Sequence, residues 1–149
     1  MPIDLYLTAA EHIVYVAELV NLELQTKENS EEAYLLRNRL SLADEILQNL
    51  PKADINRVHS FETLLTSKMK ATPSKAESYL KVACYIRQDT LLCKMIAEKN
   101  DEKEADDLRN AMDETFRSMA EDEEFKIHVD GLEGLHGWIG NSYGIWNKQ

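Results

Sequence analysis

The sequence predicts an all-α fold: a bundle of five to six antiparallel helices with an irregular, glycine- and aromatic-rich C-terminal arm. Three observations carry that expectation. The 149 residues include only three prolines and five glycines, too few for a turn-rich β protein. Apolar residues recur at steps of three and four through five successive segments, the spacing of one helix face. The breaks between those segments, at Asn29, Pro51-Lys52, Thr72-Pro73 and Asn100, are short, as in connections between antiparallel neighbours.

Helix 1 is expected from about Asp4 to Lys27, with Tyr6, Ala10, Ile13, Ala17, Val20 and Leu24 on its inner face. Leu5, Leu19 and Leu22 widen that face. Such a helix lies at the centre of the bundle or under a second copy of the chain. Helix 2 opens at Ser30, an N-cap residue followed by Glu31 and Glu32 at the positive end of the helix dipole. Ala33, Leu36, Leu40, Ala43, Leu47 and Leu50 form its heptad-like stripe, and Pro51 stops it. Helix 3 is expected to open at Asp54 and to bury Ile55, Val58, Phe61, Leu65 and Met69. Helix 4 follows Thr72-Pro73, with Ser74 and Glu77 at capping-box spacing and Tyr79, Ala83, Ile86, Cys93 and Ile96 inward. Helix 5 starts at Asp101; its narrow stripe is Ala105, Leu108, Met112, Phe116 and Met119, and the rest is charged, so it faces solvent.

Beyond Glu121 the pattern changes. Phe125, Ile127 and Val129 alternate with polar residues, and the segment reads as a short helix capped at Asp122 or as a strand. All five glycines and both tryptophans fall between Gly131 and Gln149. Glycine costs about 1 kcal/mol in a helix interior, so this stretch reads as an irregular arm. The expected organisation is a helical domain over residues 1–130, with an arm over 131–149 packed on it or extending from it. Helices 1–2 and 4–5 share a weak likeness at a constant offset, as in Glu32-Ala33 against Glu104-Ala105 and Val14 against Ile86. Such a match suggests a duplicated hairpin.

The net charge is −10. Residues 101–130 carry −8 and residues 52–99 carry +4, so the acid is concentrated toward the C-terminal side. An acidic chain is not a general nucleic-acid binder, which must neutralise phosphates. Nucleic acid is therefore an unlikely partner, and the basic stretch Lys68, Lys70, Lys75 and Lys81 is the one route to a nucleic-acid-associated regulator. No apolar run approaches the ~18 residues that span a bilayer, and the N-terminal segment lacks a basic leader. Cys84 and Cys93 lie nine residues apart on one expected helix, on opposite faces and about 13.5 Å apart, so they do not pair. Two free thiols and no leader fit a cytoplasmic protein without a membrane partner.

Chemistry-bearing motifs are sparse. There is no phosphate-binding glycine loop and no Cys-x-x-Cys. Glu133 and His136, with Glu124 and His128, have donor types that zinc uses; surface histidines are the simpler reading. Glu104 and Asp107 have the spacing of a magnesium pair on one helix face, the basis for an alternative as a small magnesium-dependent enzyme on a phosphorylated substrate. The favoured expectation is non-catalytic and needs no cofactor or metal: an acidic interaction protein of the adaptor, inhibitor or immunity kind. Its partner is another protein, one with a basic surface, bound through Glu102, Asp106 and Asp113 of helix 5 with Trp138, Tyr143 and Trp146 of the arm. A homodimer through the wide apolar face of helix 1 is a further option.

Overall fold

A computed structural model describes residues 2–98 and 102–120. These are five helices: α1 (Pro2–Leu24), α2 (Glu31–Leu47), α3 (Lys52–Ala71), α4 (Ala76–Glu98) and α5 (Glu102–Ala120). A 3-10 turn, Pro73–Lys75, leads into α4. No strand occurs among the described residues. The expected short helix or strand at 122–129, the arm at 131–149 and the Glu124, His128, Glu133 and His136 set all lie outside the described residues.

The helix ends follow local chemistry. Ser30 caps α2: its backbone is extended and its Oγ accepts the Ala33 N–H at 3.2 Å. α1 closes three residues before the expected Lys27. Thr26 has a positive φ of 58°, and the Lys27 N–H reaches back to the Leu22 carbonyl at 2.8 Å, the bond of a left-handed C-terminal cap. α3 starts two residues before Asp54. The Pro51 carbonyl accepts the Asp54 and Ile55 amides at 3.0 and 3.1 Å, so the proline opens α3. α2 closes earlier than the expected stop at Pro51, at Leu47, where the Asn49 and Leu50 amides turn back to the Ile46 and Leu47 carbonyls. Ser74 lies inside the 3-10 turn instead of opening an α-helix, and Pro73, with its fixed φ and no N–H to satisfy, stands at the first position of that turn.

α1 is the central element. It packs against α2, α3 and α4, while α5 packs on α4. Of the two positions the sequence left open for α1, the structure gives the first: Ala9, Ala10, Ile13, Val14, Ala17, Val20 and Leu22 are buried within the one chain. All of these but Leu22 join the main core, with Leu47, Leu50, Val58, Leu65, Met69, Tyr79, Val82, Ala83, Ile86 and Cys93. A second cluster, Leu22, Ala33 and Leu36 with Tyr15 and Leu19 against it, joins α1 to α2. Several expected core positions differ: Tyr6, Leu24, Leu40 and Ile55 are only half-buried. Ile96 is 43% exposed, since it stands at the end of α4. Phe61 is only half-buried, and Glu62 takes its place inside.

Candidate functional site

α5 carries the charged surface. Ala105 and Met112 are buried and Leu108 is half-buried, so this edge faces α4 and the rest turns outward. Phe116 and Met119 have side chains outside the described residues. Six carboxylates stand on α5 against three cations, Lys103, Arg109 and Arg117. Glu102, Asp106 and Asp113 are all exposed. At about 100° per residue they fall within one narrow stripe, some 16 Å long at about 1.5 Å per residue. Lys103 and Arg117, with Asn110 between them, form the next line, and Asp107 and Glu114 lie beyond it, all exposed. Arg109 Nη1 donates to Asp106 Oδ1 at 2.8 Å across an exposed i, i+3 pair. An exposed pair of this kind contributes little to stability.

Trp138, Tyr143 and Trp146 lie outside the described residues. The structure therefore brings together three of the six expected partner-binding residues. Glu104 and Asp107 are both exposed, and no group of three or more His, Cys, Asp or Glu side chains is placed to hold a metal among the described residues. In the basic stretch, Lys70 and Lys81 are exposed and Lys68 and Lys75 half-buried.

A polar cluster that the sequence reading did not anticipate lies between α1, α2 and α3. His12 is 5% exposed on α1. Its Nε2 is 2.7 Å from Asp44 Oδ1 on α2, and its Nδ1 meets Glu62 Oε2 on α3. Glu62 is itself buried, whereas the Asp44 side chain is 58% exposed. His59 of α3 stacks on the His12 ring, with centroids 6.0 Å apart and planes 21° from parallel. Burial alone would lower the His12 pKa; the hydrogen bond and charge of Glu62, then those of Asp44, outweigh it, and the imidazole sits above its ordinary range. Tyr6 makes a second link between α1 and α3, its Oη donating to Asp54 Oδ2 at 3.0 Å.

One signal in the sequence could have exposed this cluster. Val58, Glu62, Leu65 and Met69 advance by four, three and four, so Glu62 occupies a core register position. Steps through Phe61 fit nearly as well and conceal it. His12 likewise sits among Ala9, Ala10, Ile13 and Val14, all buried.

The far edge of α2 is different again. Arg39 lies over the Tyr15 ring, 5.9 Å from its centroid. Tyr15 Oη donates to Glu11 Oε2 at 3.3 Å. Burial raises the pKa of the nearby Glu18 carboxyl against the pull of Arg87 on α4. Leu35, Leu42 and Ile46 are 48%, 63% and 42% exposed beside this edge. The thiols are unsuited to nucleophilic work at neutral pH. Burial holds Cys84 above its ordinary range, and burial with the Asp89 charge pushes Cys93 up to about 12.

No protein-family model, curated protein or solved structure matches this chain. No described helix is long and apolar enough to cross a membrane.

Proposed function

We propose that this chain is a non-catalytic, acidic interaction protein of the adaptor, inhibitor or immunity kind, acting by binding a protein with a basic surface. The single observation behind the reading is the exposed carboxylate stripe of Glu102, Asp106 and Asp113 on an outer helix. α5 uses one edge to hold α4 and leaves the others to solvent. Charges in such a position speed encounter with an oppositely charged partner and make binding sensitive to salt. In this reading Trp138, Tyr143 and Trp146 supply the apolar anchors that charge alone does not give. The five helices are taken as an up-and-down bundle. The pairings Tyr15 with Arg39 and His12 with Asp44 support an antiparallel first hairpin, since one residue number rises as the other falls.

The test uses two full-length baits in native lysate: the natural chain, and one carrying Glu102→Lys, Asp106→Lys and Asp113→Lys. All three side chains are exposed, so each reversal should change stability by no more than about 0.5–1 kcal/mol, and a melt of both baits checks that the reversed chain is folded. The expected result is one stoichiometric protein, retained by the natural chain at low salt, released at high salt and absent from the reversed chain. Equal capture by both baits would remove the acidic stripe from the function.

A further inference from the structure

We propose that His12 is a proton-operated latch: its imidazolium clamps α2 to α3 across α1, and deprotonation releases the α2 side first. The case rests on hydrogen-bond stoichiometry. Both ring nitrogens face carboxylate oxygens, Glu62 Oε2 and Asp44 Oδ1. Ionised carboxylates only accept, so both bonds require both nitrogens to donate, which only the charged ring can do. A neutral ring has one N–H. It satisfies one carboxylate and turns a lone pair toward the other.

Burial decides which bond survives. The Glu62 side chain is 9% exposed, too little for solvent to take the histidine's place. Losing a partner there strands a buried charge, the costliest outcome available. The Asp44 side chain is 58% exposed and can turn to solvent at little cost. The remaining proton therefore stays on Nδ1 for Glu62, and Asp44 lets go. α2 packs chiefly on α1, and this bond adds a polar tie that, through His12, links α2 to Glu62 on α3. Letting go loosens the middle of α2 around Ala43–Leu47 and leaves the rest docked.

The groups that face the ring are few. α3 presents Glu62 and the stacked His59; α2 presents Asp44. Among the described residues, Glu62 and Asp44 are the charges that act on the His12 equilibrium, with none from α4. The sign follows from the direction of the shift. The His12 pKa is higher in the folded chain than in the unfolded one, near 6.5. The latch thus stabilises fully below that unfolded value, and its contribution is lost as pH rises through the folded pKa.

The experiment is an NMR titration of the full chain from pH 5.5 to 9, reading the imidazole nitrogens of His12 and the amides of residues 40–48. At pH 6.5 both His12 nitrogens should carry protons. On raising the pH, Nε2 should lose its proton while Nδ1 keeps it, and the α2 amides should move with the same midpoint. Asp44→Asn, at an exposed position, should fold, lower the His12 midpoint and flatten the α2 response. His12→Gln serves as a second variant, and where it folds its melting temperature should be flat over this range. A His12 midpoint at or below 6.5, loss of the proton from Nδ1 first, or α2 amides that ignore the titration would each overturn the latch.

Discussion

Thr26 stands at a position that suits its side chain poorly. A β-branched residue at a φ of 58° crowds its Cβ against the backbone, at a cost of roughly 1–2 kcal/mol that glycine avoids. The Thr26 Oγ donates to the Gln25 carbonyl at 2.6 Å, a partial compensation on an exposed turn. Thr26→Gly should therefore raise stability by about 1 kcal/mol. In a urea titration the midpoint should rise with the slope unchanged; a fall would mean that the threonine hydroxyl outweighs the strain. Legibility is poorest at this scale. Ser30 was readable because capping needs a particular side chain in a local place. His12 and Glu62 were not, because a core register does not say which residue, fifty positions away, a polar side chain will meet. Each looks like a polar residue beside an apolar stripe until the helices are packed.

Among the elements, α2 shows how much of a helix is local. Its start depends on one side chain: Ser30 Oγ accepts from Ala33 and donates to the Lys27 carbonyl at 2.7 Å. Arg37 adds a bond to the Glu28 carbonyl, tying the connection to the first turn. Ser30→Ala should cost about 1 kcal/mol, measured as a lower urea midpoint, and Ser30→Asp should recover most of it. No loss on Ser30→Ala would mean that Arg37 and the backbone hold the turn without the hydroxyl. The stripe of α2 was largely legible from sequence: Ala33, Leu36, Ala43 and Leu47 are buried, Leu40 is half-buried, and Leu50 is buried just past the helix end. The wet side was less so. Leu35, Leu42 and Ile46 are as apolar as the core residues, and only packing decides that they remain outside. α5 was the most readable element, because so many charges leave it a single edge to bury. α4 was read too deep at its end, where Ile96 keeps the periodicity but has passed beyond the core.

At the scale of the whole molecule, the arrangement is a central pair with satellites. α1 and α4 pack on one another, α2 packs on α1, α5 packs on α4, and α3 spans the two. α1 and α4 each have 23 residues, and α2 and α5 have 17 and 19. Ala33 and Ala105, which matched in sequence at a fixed offset, are both buried at the start of the satellite helices. Both helices of the central pair bury small residues. Ala17 and Ala83 are fully buried, and Ala10 is nearly so. Ala17→Leu should thus destabilise the chain by about 1–3 kcal/mol through overpacking, seen as a lower melting temperature. An unchanged melt would place slack between α1 and its neighbours. The all-α class was readable from the scarcity of proline and glycine and from the spacing of apolar residues. Which helix lay at the centre was not, since a wide apolar face fits a middle position and a subunit contact equally well.

The satellite position of α5 has a thermodynamic consequence. Its main hold on the rest of the chain runs through α4, so it can open without disturbing the contacts that α1 makes with α2 and α3. Helices held in this way populate local openings well below the free energy of global unfolding. Any molecule that recognises only the closed form of α5 adds its own binding free energy to that closing, in proportion to its concentration. The helix bearing the most concentrated charge on the described surface is therefore also one whose order a partner can tune, while the core beneath it stays as it was.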